Sequence, residues 1–337
     1  MRIAVDAMGG DFAPREIVRG AVEAARGLAS ASKVILVGDE GAIKRELEAC
    51  GGGYPKIEIV HASEVIGMDE APAQAIRRKR DASITRAVEL VQSGEADAVV
   101  SAGNTGAVVV AATLKLRTLE NVERPAIAAV LPTRGRPFIL IDAGANTDCT
   151  PNLLLEFAVL GSVYSRVIFG QRDPVVGLLS IGGEDVKGNE LTKEAFRLLS
   201  ASHLNFRGNV EGHDLFVGET DVVVCDGFVG NVVLKTSESA ARTIAYWMKQ
   251  EFRRTPLRLL GALLLSGALR TMKRRMDPEL YGGAPLLGVN GICIITHGAS
   301  SHRAIFHAVR VAGEAVEHRL NDLTVGQLAK ELGALHV

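Results

Sequence analysis

Aromatic residues make up only 4% of this 337-residue chain, which carries one tryptophan and four cysteines. Cys50, Cys149, Cys225 and Cys293 lie far apart and form no CxxC pair. That excludes a disulfide framework or a cysteine-held zinc and fits a reducing compartment. No GxSxG elbow, GK[ST] phosphate loop, GxGxxG turn or HExxH pair occurs. The chain therefore bears no signature of a serine nucleophile, a nucleotide site or a catalytic metal, and we expect no cofactor. An excess of one charge is missing too. The formal net charge is −1, which gives no general attraction to nucleic acid. The opening "MRIAVDAMGGD" has an acid at position six and no signal-like apolar run, which predicts a cytoplasmic protein.

What the chain does hold is small apolar residues and glycine, with 47% hydrophobic residues and 36 glycines. Unbroken apolar runs start at Ile3, Val34, Ile57, Ala96, Ala126, Phe138, Val175, Asp221 and Gly291. Such runs predict strands covered on both faces. Amphipathic stretches alternate with them: one after Pro14, then 73–93, 105–117, 152–168, 190–203, 231–252 and 301–319. This alternation predicts a mostly parallel sheet between two layers of helices, a three-layer α/β unit over 1–337 with two intertwined lobes.

One segment stands apart. Leu257 to Leu269 holds a single charge, Arg258, and is too short to span a bilayer at about 1.5 Å per helical residue. Seven cations and no acid lie between Arg253 and Arg275; removing them from the formal −1 leaves −8 on the remainder. We expect an arm over 253–275 whose leucines, Leu257, Leu260, Leu263 and Leu264, meet a membrane surface or a dimer partner. The basic residues Arg77 to Arg80 and Arg270 to Arg275 offer an alternative dock for an acidic protein.

Ligands of α/β sheets collect beyond the carboxyl ends of strands, where helix N-termini direct their N–H groups. Six predicted strands end in glycine and small polar residues: "DAMGGD" from Asp6, "SAGNTGA" from Ser101, "DAGANTD" from Asp142, "SIGGEDVKGNE" from Ser180, "CDGFVGN" from Cys225 and "THGASSH" from Thr296. Together they read as one common rim shaped for an anion or a thioester. Asn104 and Thr105 can cap a helix or, with Gly106, cradle phosphate. Lys187 is either a solvated lysine or a point charge on phosphate or on an oxyanion. His297 either bonds a backbone carbonyl or lines the site. Composition and spacing stop there, at an α/β enzyme with an anion-binding rim.

Seven ordered blocks add more: "RIAVDAMGGDFAP", "SAGNTGA", "KGNEL", "NFRGNVEGHD", "VVVCDGFVGNVVLK", "YGGAPLLGVNG" and "HGASS". In these the chain resembles the bacterial phosphate acyltransferase (PlsX) family. Two small departures are Ala82, where the family usually carries a second serine, and Ala143, where valine is usual. The resemblance implies an isocitrate/isopropylmalate dehydrogenase-like fold, related to phosphotransacetylases, and a homodimer. It implies conversion of acyl-acyl carrier protein and inorganic phosphate to acyl phosphate and free carrier protein. The product would pass to a membrane glycerol-3-phosphate acyltransferase, and the protein would sit peripherally on the bilayer. Lys187, Asn231 and His297 are the expected catalytic residues. Asp6, Gly9, Gly10, Asn104, Thr105, Gly106, Asn146, Asp226 and Gly230 are the expected binding residues. The rival readings are a phosphotransacetylase acting on acyl-CoA, a decarboxylating dehydrogenase, and a membrane scaffold without activity.

Overall fold

The computed structural model describes residues 1–29 and 31–335; the last two residues of the expected unit lie outside the described residues. Its strands are β1 (Arg2–Asp6), β2 (Lys33–Gly38), β3 (Ile57–His61), β4 (Ala98–Ser101), β5 (Ala126–Leu131), β6 (Phe138–Ile141), β7 (Val176–Leu179), β8 (Phe206–Val210), β9 (Val222–Val224), β10 (Ala284–Leu287) and β11 (Ile292–Ile295). They form one sheet in the order β3-β2-β1-β4-β11-β10-β5-β6-β9-β7-β8. The apolar runs explain this: "VILVG" and "FILI" are buried on both faces, as strands roofed by helices must be.

The helices are α1 (Arg15–Gly27), α2 (Glu40–Ala49), α3 (Pro72–Arg78), α4 (Ser83–Gln92), α5 (Thr105–Leu116), α6 (Pro151–Phe169), α7 (Glu190–Ala201), α8 (Gly227–Arg253), α9 (Pro256–Leu264), α10 (Ser266–Arg275), α11 (His302–Glu317) and α12 (Leu320–Leu335). One face of the sheet packs against α1, α2, α6, α7, α11 and α12; the other packs against α3, α4, α5 and the start of α8. The arrangement is the expected mostly parallel sheet with flanking helices. Among the described residues α6 is long and apolar enough to cross a membrane, but 67% of its apolar window is buried, as in a core helix.

Strand direction divides the sheet. β1, β2, β3, β4 and β11 run parallel to one another, and so do β6, β7, β8 and β9. Between these groups β10 is antiparallel to β11 and to β5, and β5 is antiparallel to β6. Three reversals turn the second group opposite to the first. The carboxyl ends of the strands therefore form two rims on opposite edges, not the single rim expected from the sequence.

Three local differences have physical causes. The helix expected over 73–93 breaks at residues 79–82, because the Asp81 carboxylate takes the Ser63 N–H at 2.9 Å and the Ser63 hydroxyl at 2.7 Å. α8 starts four residues before Asn231, since Gly227 and Gly230 are the contact face of its first turn and not a loop. β8, β10, α2 and α12 escaped the apolar pattern; β8 carries Gly208 and Asn209, and β10 carries Pro285.

Candidate active site

The first polar cluster joins the carboxyl ends of β1, β4 and β11. Asp6 is 2% exposed and accepts the Ser101 hydroxyl at 2.7 Å and the Met8 N–H at 3.3 Å. Burial pushes its carboxyl above the ordinary range, and hydrogen bonds from Ser83 and Ser101 oppose that push. Gly9 has no alternative here, because a Cβ would stand 2.5 Å from the Asp6 carboxylate and 2.7 Å from the Gly103 nitrogen. Gly10, at φ +107°, turns the chain so that the Asp11 N–H reaches the Gly298 carbonyl at 2.8 Å. Beneath this rim a cavity of about 10 Å³, lined by Asp6, Ser83, Ser101 and Asn104, has room for one water at most. The cavity is too small to admit a phosphate group.

Asn104 is half-buried and fully employed. Its Oδ1 caps α5 by accepting the Ala107 N–H at 3.1 Å, and its Nδ2 donates to the carbonyls of Gly67, Met68 and Glu70 at 3.1–3.3 Å. What it offers a ligand is the helix it starts. Thr105 and Gly106 open α5, where N–H groups lack partners within the helix. A Cβ on Gly106 would meet Pro72 at 2.5 Å, so α3 seals the flank of that turn. His297 is exposed on the same rim. Its Nδ1 accepts the Ala299 N–H at 3.1 Å, so the neutral ring carries its proton on Nε2.

The second cluster joins the ends of β6 and β9. Asp142 is fully buried. Its carboxylate accepts the N–H groups of Ile127, Gly144, Ala145 and Asn146 at 2.6–3.1 Å, and the Asn146 side-chain amide at 3.0 Å. Burial again pushes the carboxyl up, against those donors. The other Asn146 amide bond goes to the Pro125 carbonyl at 2.8 Å, leaving that side chain committed to the fold. Asp226 caps α8 by accepting the Val229 N–H at 2.9 Å. A Cβ on Gly230 would fall 1.9 Å from the Asp142 carbonyl oxygen, so only glycine lets α8 cross there. Asn231 stands half-buried on the next position, and its amide has no hydrogen-bond partner among the described residues.

Lys187 lies on the exposed loop after β7, on the same edge as Asp226, and its ammonium has no ion-pair partner among the described residues. No described contact ties it to either cluster. From β11 to β6 is three strand spacings, about 14 Å at 4.8 Å each. Sequence reading singled out Asp6 but not its partners Ser83 and Ser101, nor Asp142. For Ser101 and Asp142 the signal was the polar end of an apolar run; Ser83 opens α4 and ends no such run. Ala82 and Ala143, the departures from the family pattern, are both buried, and neighbouring Ser83 supplies the hydrogen bond to Asp6. Among the described residues no group of three or more His, Cys, Asp and Glu is placed to hold a metal ion.

A family model described as Fatty acid synthesis protein matches residues 1–323. Phosphate acyltransferase of Pelotomaculum thermopropionicum is 52% identical over 320 residues, covering 95% of this chain and 93% of the relative. Phosphate acyltransferase of Desulforudis audaxviator is 49% identical over 335 residues, covering 99% and 96%. Phosphotransacetylase of Streptococcus pyogenes superposes with a TM-score of 0.61 at 20% identity over 94% of each chain. The 4-hydroxythreonine-4-phosphate dehydrogenase of Klebsiella pneumoniae superposes at 0.50 and 15% identity, covering 94% and 98%. These last two likenesses are of fold alone. By class, then, the chain is an acyltransferase on a split α/β sheet. It belongs to the fatty acid synthesis protein family, with the resemblance read from the seven blocks confirmed across most of the chain.

Proposed function

We propose that the chain transfers the acyl group of an acyl-acyl carrier protein to inorganic phosphate, reversibly, yielding acyl phosphate and free carrier protein. One observation carries this reading. Of the polar side chains expected at the site, Asn104, Asn146 and Asp226 are spent on caps and backbone ties, whereas Lys187, Asn231 and the Nε2 of His297 keep donors without partners among the described residues. Donors alone suit a reaction that needs no enzyme nucleophile. A phosphate oxygen, held at the start of α5, attacks the thioester carbon; the oxyanion forms, then collapses as the C–S bond breaks and the thiolate leaves. Positioning and fixed donors supply the rate. Asp6, Gly9, Gly10 and Gly230 shape the two rims.

The arm completes the proposal. α9 and α10 bury no residue, and Leu257, Leu260, Leu263 and Leu264 are 78%, 53%, 68% and 79% exposed. We read them as the contact of a cytoplasmic homodimer with the bilayer, where a membrane acyltransferase uses the acyl phosphate. Flotation with vesicles tests this: the Leu263→Asp/Leu264→Asp pair should stay in the soluble fraction, and flotation equal to wild type rejects the arm as the contact.

The reaction is tested by acyl-phosphate formation from palmitoyl-acyl carrier protein and phosphate, with palmitoyl-CoA in parallel. Product from the carrier-bound substrate alone is the expected result. Product from CoA alone favours phosphotransacetylase activity, and no product from either rejects both. For Lys187 to serve as an oxyanion donor its exposed loop has to come to the substrate, and Lys187→Ala should then lower turnover at saturating phosphate by about 100-fold; turnover near wild type rejects that role.

A further inference from the structure

At the root of the arm the chain encloses an open cavity of about 410 Å³, within the range of small-ligand sites. The turn between β5 and β6 forms one wall and contributes Thr133 and Arg134. The end of α10 and the turn that follows form the other, with Arg274, Arg275 and Tyr281. None of these three arginines has an acidic partner among the described residues, whereas Arg136, two residues from Arg134, pairs with Asp221. The nearby acids face elsewhere. Asp277 points to Arg303 at 3.9 Å, Glu279 accepts the Ser301 hydroxyl at 2.7 Å, and Asp221 lies 3.8 Å from Arg136.

The wall that carries Arg134 is stiff. The Thr133 hydroxyl accepts the Gly135 N–H at 2.9 Å and donates to the Arg136 carbonyl at 2.6 Å, while the Arg134 N–H donates to the Phe216 carbonyl at 3.1 Å. Tyr281 lines the same space, and a phenol keeps its proton at neutral pH and can donate. Three arginines and a tyrosine line one space with no acidic residue among the lining, a set rich in donors and free of carboxylate. That chemistry matches the oxygens of a phosphate group, which arginine binds in bidentate fashion.

We propose that this cavity is a phosphate-group binding site; its β5–β6 wall stands on the same edge of the sheet as the first cluster, but none of its lining residues belongs to either cluster, and the assignment does not rest on the acyl-transfer reading. α10 holds it about 15 Å from Leu265, ten residues at 1.5 Å each. The phosphate can come from two sources, free phosphate in solution or the headgroup of an anionic lipid met by the arm.

Phenylglyoxal labelling of the full chain, read arginine by arginine by mass spectrometry, tests the site and separates the sources. Inorganic phosphate, phosphatidylglycerol vesicles and phosphatidylcholine vesicles are the probes, and Arg253 and Arg207 are the reference positions. Labelling of Arg134, Arg274 and Arg275 should slow about fivefold at a few times the Kd of the effective probe, with Arg207 unchanged. Protection by phosphate assigns the free ion; protection by phosphatidylglycerol vesicles alone assigns the headgroup. Because an arm on a membrane shields its own residues, Arg134 on the β5–β6 turn is the deciding position in the vesicle arms. Unchanged labelling of Arg134 with every probe overturns the proposal. Where inorganic phosphate protects, Arg134→Glu, with wild-type circular dichroism, should remove its protection of Arg274 and Arg275, and phosphate protection that persists there also overturns the proposal.

Discussion

Asp6 and Asp142 both end an apolar strand, both are buried, and burial raises both carboxyls. They differ in what meets them. Asp142 faces four backbone N–H groups and one side-chain amide, all of which can only donate in that geometry. Asp6 faces two serine side chains, Ser83 and Ser101, and the amides of Met8 and Gly9. A hydroxyl can turn and become an acceptor when the carboxyl gains a proton, and a backbone N–H cannot. Asp142 is thus a fixed staple that ties β5, β6 and the start of α8. Asp6 is a partner that tolerates a change of protonation.

Substitutions can sharpen or break that contrast. Asp142→Asn sets an amide donor against N–H donors and should cost about 3 kcal/mol or more, read by urea unfolding. A loss below that of Asp6→Asn would end the distinction. Gly230→Ala, which drives a methyl into the Asp142 carbonyl, should cost about 2–3 kcal/mol by the same measurement. Asp6→Asn should cost about 1 kcal/mol at neutral pH, since serine hydroxyls can accept from its amide. A raised folded value means that the stabilisation by a protonated Asp6 is full below its ordinary 3.8 and is lost as pH rises through the folded value. The deficit of Asp6→Asn relative to wild type should therefore grow as pH falls from 7 towards 4, in unfolding curves taken across that range. Leu263→Asp, on the arm and outside both clusters, should change stability by no more than about 0.5 kcal/mol.

The strands and most helices were legible because double-sided burial writes continuous apolar runs and single-sided burial writes periodic ones. The commitment of side chains was not. Asn104 and Asn146 sit in stretches that look ready for ligand, yet three carbonyls of a distant loop use one and Pro125 uses the other. Those partners lie 34 to 37 and 21 residues away and leave no local pattern. The split rim had a signal that strand-by-strand reading passed over. Six residues separate β5 from β6 and four separate β10 from β11. Connections that short cannot make a parallel crossover, which takes about a dozen residues or more, so both pairs had to reverse.

The order of the sheet also bears on synthesis. β10 and β11 lie at its centre, between β4 and β5, yet they are the last strands in the chain. Until they leave the ribosome, the nascent protein holds two half-sheets with β4 and β5 as open edges. Such edges invite pairing with other chains. The arm precedes β10 directly, so the growing chain displays its leucines while the sheet is still in two halves. Residues 284–295 must close the middle of the sheet, and a chaperone has most to shield in the interval before they do.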